Sequence, residues 1–587
     1  MIRKSITTIL FLALALAVFS QSKGKIEVPL RFDRYYDYDE MTEALKALHK
    51  AYPKLTRLDL VGRSEENREI WALTINNDST GEALTKPGVY VDGNIHGNEI
   101  QAGEVCLYYA NLLLTRYGEN EKIKKVVDRN AHYILPVVNV DGRARFFEEA
   151  HTPNSSRSLR VPKDDDRDGL VDEDAPDDLD NDGNICQMRI RDPLGDYRTD
   201  PEDPRLMIPV KPGEKGEWTL LGQEGIDNDG DGRYNEDSEG FLDPNRNWGA
   251  NWQPPYVQNG AGNFPLSGKG TRAIAQYIHE RPNIIVNFAF HNSGGMWLRP
   301  PATKEERLAP SDLAVYDVIG QNALKMTPGY VYHSSYDLYP TYGDTDTHMW
   351  YLEGSYSFVG ELFMRSQETY RENAARPVTP PATAGSASAS GSGRRGVNPD
   401  EAREQLKFSD HLGLTELYRD WKPFHHPVYG EIEIGGWVKM SSRLPHPFML
   451  PELVHRNAMV VLFAAEQTPD IAMEVFEVKE ISRNLSRVRV RLSNANAIPS
   501  MSANAANTRL YPMDMLKITG ARVVAAGKIT DLRNNQVTYQ EHRPDLIFTS
   551  VPGYGRVEHE FLVEGKGTLR IDYSSRKASD LSTTVKL

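Results

Sequence analysis

Short apolar strands alternate with helices through most of this chain, and this order limits the folds it can adopt. Gly88–Ile95, His132–Val140, Asn283–Phe290 and Ser355–Phe363 are rich in apolar residues, and an amphipathic helix, Asp39–Ala51, precedes them. Apolar runs of this length are typical of strands that are buried on both faces. The sequence therefore predicts an α/β fold whose mixed sheet is flanked by helices.

The pattern changes after Pro469 to short strands of alternating polarity separated by turn residues. These predicted strands are Val475–Val478, Val488–Leu492, Leu516–Val524, Leu546–Thr549, Val557–Val563 and Thr568–Tyr573. We predict a catalytic domain over residues 26–468 and an all-β sandwich over residues 471–587. The sandwich shows no catalytic constellation, so packing against the larger domain is its expected role, with substrate or surface binding as the alternative.

Charge and the N-terminus restrict where the chain acts. A net charge of −14 argues against a nucleic-acid partner. Arg3 and Lys4 precede the apolar run Ile9–Phe19, which predicts a signal peptide over residues 1–22. The run is too short for a confident membrane span, and we expect none later in the chain. The expected location is therefore periplasmic or secreted.

Two predicted insertions interrupt the α/β pattern. Residues 155–240 are dominated by Asp and Gly, and residues 375–400 are first rich in Arg and Pro and then in Ala, Gly and Ser. The second composition is typical of a flexible surface loop. Because the apolar helix Leu453–Glu466 follows it, we interpret this segment as a loop within the larger domain.

Polar residues at strand ends indicate a metal site. His96 and Glu99 stand three residues apart where the strand Gly88–Ile95 gives way to an apolar helix, Glu99–Leu114. His291 ends the strand Asn283–Phe290, at the same end as His96. Two imidazoles and a carboxylate are a ligand set of catalytic zinc, which keeps a further position open. In open α/β sheets such sites gather beyond the carboxyl ends of strands.

Three other signals suggest a substrate site. Glu361 lies inside an apolar strand, where burial of a carboxylate needs a partner or a function. Asn245 and Arg246 together can bind a carboxylate through charge-assisted hydrogen bonds, although a salt-bridged turn is the alternative. Tyr339 lies in a Gly-containing loop upstream of Glu361.

From about Tyr35 to Glu466 these motifs, in this order, resemble the zinc metallocarboxypeptidase family of the carboxypeptidase A/B type. The resemblance implies a mixed eight-stranded sheet with helices on both faces. It also implies that His96, Glu99 and His291 bind zinc and that Glu361 is the general base. Asn245 and Arg246 would then bind the α-carboxylate of the substrate's last residue. Tyr339 would be the family's mobile tyrosine, with Tyr342 as the second choice.

The chain departs from the family's pattern in two places. The oxyanion-stabilising arginine should precede the Asn-Arg pair, but the acidic insertion displaces it; we assign it to Arg191, with Arg189 as the alternative. The family's register places Asp346 near the floor of the specificity pocket, where an acid favours Lys or Arg side chains.

The acidic insertion contains two segments that align without a gap, each with alternating carboxylates and a Gly at the sixth position. They resemble calcium loops of the EF-hand, dockerin and thrombospondin-repeat kind, but lack the Glu at position 12 of an EF-hand. The alternative is a solvated acidic loop. The predicted calcium ligands are Asp164, Asp166, Asp168, Asp172, Asp227, Asp229, Asp231 and Asn235.

These observations predict a zinc-dependent carboxypeptidase that hydrolyses the C-terminal peptide bond of peptides by zinc-activated water. Its cofactors would be Zn²⁺ and, where the acidic insertion binds it as a structural clamp, Ca²⁺. Its partner would be a peptide with a free C-terminal carboxylate. Two alternatives stay open: a zinc amidohydrolase acting on cell-wall peptide or another modified substrate, and a non-catalytic binding protein on a peptidase scaffold.

Overall fold

The computed structural model describes residues 28–164, 169–237, 240–363, 399–413, 417–441 and 443–587. The predicted signal peptide, residues 375–398 of the predicted loop, and the predicted calcium ligands Asp166 and Asp168 lie outside the described residues.

The described helices cover the main sheet and connect its strands. They are α1 Tyr38–Ala51, α2 Gln101–Arg116, α3 Glu121–Arg129, α4 Val140–Glu148, α5 Lys269–His279, α6 Pro310–Met326, α7 Ser335–Leu338, α8 Thr345–Tyr351, α9 Pro399–His411, α10 Leu450–Glu466 and α11 Ala503–Thr508.

An eight-stranded mixed sheet forms the centre of the larger domain, as the sequence and the resemblance predict. Its strands are β1 Thr56–Arg63, β2 Glu69–Ile75, β3 Gly88–Gly93, β4 Ala131–Leu135, β9 Ile284–Asn292, β10 Met296–Arg299, β11 Val331–Ser334 and β12 Tyr356–Leu362. They lie in the order β1-β2-β4-β3-β9-β12-β10-β11. The middle strands β4, β3, β9 and β12 run parallel, so their carboxyl ends share one edge.

The predicted strand His132–Val140 is wrong beyond Leu135. Pro136 cannot donate a ladder hydrogen bond, and Asn139 caps helix α4 by accepting a hydrogen bond from the Gly142 amide. The predicted strand Leu516–Val524 is likewise two strands, because Gly520 turns the chain with a φ of +100°.

The acidic insertion is more regular than its composition predicts. It contributes β5 Gln187–Arg191, β6 Tyr197–Thr199, β7 Met207–Pro209 and β8 Trp218–Gln223, which join β13 Tyr418–His426 and β14 Gly430–Trp437. These six strands form one sheet in the order β13-β14-β5-β8-β6-β7. Two segments far apart in sequence therefore build a second, smaller sheet together.

The C-terminal region has two antiparallel sheets around a separate core. One contains β15 Ile471–Ser482, β16 Leu485–Asn494, β18 Arg522–Asp531, β19 Gln536–Tyr539 and β21 Arg556–Glu564; the other contains β17 Asp514–Thr519, β20 Leu546–Thr549, β22 Thr568–Ser574 and β23 Leu581–Lys586. Val488, Leu516 and Phe561 lie in their common core. This architecture confirms the predicted all-β region.

Polar contacts attach the C-terminal region to the larger domain. The Asp312 carboxylate accepts hydrogen bonds from the backbone amides of Ala503 and Asn504, both at 2.8 Å, at the start of α11. Buried Lys577 donates to the backbone carbonyl of Ile284, at the start of β9.

One described segment, Pro447–Glu466, is long and apolar enough to cross a membrane by length and composition, and 56% of its most apolar window is buried inside the protein. The helix α10 within it packs against α2 and α6.

Candidate active site

The topology of the main sheet brings the predicted metal ligands together. His96 follows β3 and Glu99 precedes α2, while His291 lies in β9, the parallel neighbour of β3. Glu361 in β12 is paired directly with His291 across the ladder. All of these residues stand at the carboxyl edge of the parallel strands, and all line one cleft of about 520 Å³.

The three ligand candidates are buried and converge. His96 Nδ1 lies 2.9 Å from Glu99 Oε1, and His291 Nδ1 lies 3.1 Å from Glu99 Oε2. Among the described residues, His96 Nδ1 has no hydrogen-bond partner of suitable geometry. An orphaned buried imidazole nitrogen beside a carboxylate and a second imidazole fits a zinc site, because each group offers one donor atom to a shared point.

Asp243 supports this cluster from behind. Its Oδ1 lies 3.2 Å from His96 Nε2, the ring nitrogen that faces away from Glu99. A carboxylate on the outer nitrogen fixes the orientation and tautomer of a ligating histidine. Asp243 has no role among the predicted site residues, although it belongs to the same Asp-Pro-Asn-Arg segment as the predicted clamp.

Glu361 is positioned as a base beside the ligands. Burial raises its pKa to about 7, against the lowering effect of His291. A buried carboxyl with a pKa near neutrality is suited to accept a proton and to return it.

Asn245 and Arg246 face the same cleft. The Asn245 side-chain oxygen accepts hydrogen bonds from the Thr345 amide and hydroxyl, both at 2.9 Å. These bonds orient the Asn245 amide nitrogen toward His291, whose Nε2 lies 3.5 Å away. Arg246 is 7% exposed, and its guanidinium lies 3.4 Å from the Tyr339 hydroxyl. Tyr339 is 48% exposed at the cleft wall, whereas Tyr342 does not line the cleft.

The sequence model of the family described as zinc carboxypeptidase matches residues 41–169 and 222–363, which include every zinc-ligand candidate and Glu361. Over these matched residues, the chain is similar to the zinc carboxypeptidase family. A second match, to a domain of unknown function (DUF8731), covers residues 470–586.

Individual relatives match over shorter stretches. Carboxypeptidase D of Homo sapiens is 33% identical over 146 residues, which are 25% of this chain and 11% of that protein. The carboxypeptidase N catalytic chain of Rattus norvegicus is 30% identical over 137 residues, 23% of this chain and 29% of that protein. The structure of carboxypeptidase A from Helicoverpa armigera shares 18% identity at a TM-score of 0.39, covering 62% of this chain and 72% of that one. The matched part thus spans less than a third of either curated relative.

The structure corrects the assignment of the family's oxyanion arginine. Arg191 lies at the end of β5 in the second sheet, with its guanidinium 5.0 Å from the Trp218 ring centroid, and Arg189 is buried in the same sheet. Neither lines the cleft. Arg157 does, and its guanidinium lies 3.1 Å from Glu99 Oε1 and 3.5 Å from Asp243 Oδ2.

Arg157 was not predicted because the arginine was expected closer to the Asn-Arg pair in sequence. Nearly all of the predicted insertion lies between Arg157 and that pair. Leu159 and Leu242 pair across the base of the insertion through two backbone hydrogen bonds. This bridge returns the chain to Asp243 beside Arg157. A second cation, Arg443, also lines the cleft, 3.4 Å from Glu99 Oε1.

Asp346 lines the cleft, together with Met296, Leu298 and Val359. Its Oδ2 accepts a 2.7 Å hydrogen bond from the Ser335 hydroxyl. Burial and the neighbouring Asp344 raise the pKa of Asp346 well above its usual range. A cationic ligand would reverse this effect, because an opposite charge favours the ionised form.

The described calcium candidates divide into two groups. Asp227, Asp229 and Asp231 converge in one turn, where Asp227 accepts the amides of Gly230 and Gly232. The others do not join them. Asp164 accepts the Gly169 amide, Asp172 accepts the Lys163 amide, and the Asn235 side chain donates to the Gln223 carbonyl.

Proposed function

We propose that this protein is a zinc-dependent metallocarboxypeptidase that hydrolyses the C-terminal peptide bond of peptides. One observation carries the proposal: the Asn245–Arg246 pair lines the same cleft as the zinc-ligand candidates and Glu361. A buried arginine beside a free amide donor is suited to a carboxylate, since it offers parallel charge-assisted hydrogen bonds. A substrate held there by its terminal carboxylate would place its last peptide bond beside Glu361.

His96, Glu99 and His291 would hold zinc, which when bound supplies Lewis-acid chemistry that activates water and polarises a carbonyl. Glu361 would take the proton from the attacking water and give it to the amine of the departing residue. Arg157 would donate hydrogen bonds to the carbonyl oxygen as negative charge develops on it. Tyr339, exposed at the cleft wall, would close over the last residue of the substrate.

The preferred substrate is proposed to end in Lys or Arg. Asp346 and Asp344 both line the cleft that contains the clamp, and Asp346 is only 4% exposed. Two neighbouring buried carboxylates are unfavourable without a cation, and an alkyl ammonium or guanidinium would supply it. Met296, Leu298 and Val359 offer apolar surface to the alkyl part of such a side chain.

Export and calcium binding are also proposed. The basic and apolar N-terminal sequence, Arg3 to Phe19, supports a periplasmic or secreted location. The convergence of Asp227, Asp229 and Asp231 supports calcium binding within the acidic insertion, in a structural role.

The first test is release of free amino acid from a panel of N-blocked dipeptides by the zinc-loaded protein and its Glu361→Gln variant. We expect release that requires zinc, that favours C-terminal Lys or Arg, and that falls by at least about 100-fold in the variant. Zinc content and circular dichroism of both proteins are the controls. Equal zinc loading with no release from any free carboxylate would reject the carboxypeptidase proposal in favour of a modified substrate.

A further inference from the structure

Two acidic stretches of the insertion are joined to each other, although they lie more than fifty residues apart. The amide nitrogen of Glu173 donates to Asp237 Oδ2 at 2.9 Å, and the amide of Asp237 donates to the Asp174 carbonyl at 3.3 Å. The Asn228 side chain completes the junction by donating to Asp174 Oδ1 at 3.1 Å. Residues 169–174 and 227–237 therefore form one paired unit.

Three carboxylates meet at this junction. Asp174, Asp229 and Glu236 each place one oxygen within 4.8 Å of the others. Asp174 is fully buried, and its Oδ2 has no hydrogen-bond donor among the residues that the structure describes. Over the same described ranges, neither oxygen of Glu236 has a donor, although both are shielded from solvent.

Such an arrangement needs a compensating positive charge. Burial, together with the adjacent Asp174 and Asp231, raises the pKa of Glu236 to about 7. Shielded carboxylates that lack donors are held together either by a shared proton or by a cation.

We propose that Asp174, Asp229 and Glu236 bind one calcium ion that cross-links the two halves of the acidic insertion. The donor set contains only oxygen, which selects a hard cation, and three carboxylates can supply up to about six oxygens. Calcium accepts such irregular sets, whereas magnesium requires near-ideal octahedral geometry.

This site is independent of the proposed peptidase chemistry, and it deepens the proposed calcium binding by assigning it to other ligands. Neither Asp174 nor Glu236 is among the predicted calcium ligands. Asp229 belongs both to the junction and to the exposed turn Asp227–Asp231. Substituting a residue that belongs to only one of these two groups therefore distinguishes calcium at the junction from calcium in the turn.

The experiment compares thermal unfolding of the full chain, stripped on chelating resin and reloaded with one equivalent of zinc, in 0 and 10 mM CaCl₂ at pH 7.5. We expect calcium to raise the midpoint of the unmodified protein by about 5 °C. Glu236→Gln should abolish this rise. Without calcium, the same variant should unfold at or above the midpoint of the unmodified protein, because a repulsive pair has been removed.

Two variants give matched controls. Glu214→Gln removes an exposed acid of the same insertion, and Asp231→Asn removes a carboxylate of the exposed turn only; both should keep the calcium-dependent rise. Calorimetric titration with CaCl₂ should show one site fewer in Glu236→Gln than in the unmodified protein. Asp174→Asn provides a second disruption of the same site.

Two results would overturn the proposal. Loss of the rise in Asp231→Asn with its retention in Glu236→Gln would place calcium in the exposed turn alone. No rise in the unmodified protein, together with stability that falls relative to Glu236→Gln as the pH increases from about 4.5 to about 7, would identify a shared proton. The sign follows because a carboxyl with a raised pKa stabilises the fold only while it remains protonated.

Discussion

At the scale of single residues, the charges of the cleft have separable roles. Arg157, which the acidic insertion separates from the Asn-Arg pair in sequence, reaches Glu99 and Asp243, whereas Arg191 lies against Trp218 in another sheet. The position of the guanidinium relative to the cleft, rather than its place in the sequence, therefore decides which arginine can meet a developing negative charge.

Arg157→Ala should lower kcat by about 100- to 1000-fold, the range found when one oxyanion donor is removed. Arg191→Ala is the matched control and should retain the activity of the unmodified protein. Both are measured as release of the C-terminal residue under saturating zinc. Equal losses in the two variants would contradict the assignment of Arg157.

Asp346→Asn should lower kcat/KM for substrates ending in Lys or Arg by about 100-fold, because truncating one partner of a buried charge pair is costly. Substrates that end in Leu should be hydrolysed at least as well as before.

The matched variant for this test is Asp344→Asn. Asp344 Oδ1 caps α8 by accepting the Thr347 amide at 2.9 Å, and an asparagine oxygen can do the same. If Asp344→Asn loses activity on basic substrates while Asp346→Asn does not, the specificity residue is Asp344.

At the scale of elements, the second sheet is organised around one buried cation. Arg189 of β5 lies between the Trp218 and Trp421 rings, with centroid distances of 3.9 and 4.1 Å, and pairs with Glu433 of β14. One side chain therefore contacts three other strands of this sheet. A planar guanidinium can stack on both faces, which an ammonium cannot do.

Arg189→Ala should destabilise this sheet by about 2 kcal/mol or more, because two desolvated cation–π contacts and an ion pair are lost. Arg189→Lys should retain only part of the stability that Arg189→Ala loses. Hydrogen exchange of the amides in β5 and β14 measures the effect, with Arg191→Ala as a surface control. Unchanged exchange in Arg189→Ala would show that backbone pairing alone holds the sheet.

Local signals were sufficient for some of the site and not for the rest. His96 and Glu99 were predicted from their spacing at a strand–helix junction, and His291 and Glu361 from polar groups in apolar strands. The second sheet could not be predicted, since Arg189 and Glu433 meet although they are 244 residues apart along the chain. Such non-local pairing leaves no periodicity in either segment. Arg157 was missed for a related reason. The family's pattern depends on the distance along the sequence between this arginine and the Asn-Arg pair, and the acidic insertion lengthens that distance.

At the scale of the whole molecule, Lys577 joins the C-terminal region to the start of β9. Its ammonium is 1% exposed, donates to the Ile284 carbonyl and lies 5.5 Å from the Tyr511 ring centroid. Burial lowers the pKa of Lys577 from 10.5 to about 7, and Glu353 opposes this effect.

Lys577→Met should therefore change how stability depends on pH. Between pH 7 and 9 the unfolded chain holds more protons on this lysine than the folded chain does, so the free energy of unfolding of the unmodified protein rises with pH. The contribution is about 2 kcal/mol over this interval, since one unit corresponds to about 1.4 kcal/mol and the folded lysine is already partly deprotonated at pH 7. Urea unfolding at both pH values should show this rise to be absent from the variant.

The critical result is whether the pH dependence of stability differs between the unmodified protein and Lys577→Met. If stability changes equally with pH in the unmodified protein and in Lys577→Met between pH 7 and 9, the lysine is charged at the interface and held there by its partners.

The backbone bridge between Leu159 and Leu242 has a consequence for how such a chain can diversify. The chain enters and leaves the insertion at this bridge. Arg157 and Asp243 lie just outside it, on the side of the cleft. The segment between the two leucines could thus be replaced by a different module, in evolution or by design, without changing the residues of the cleft.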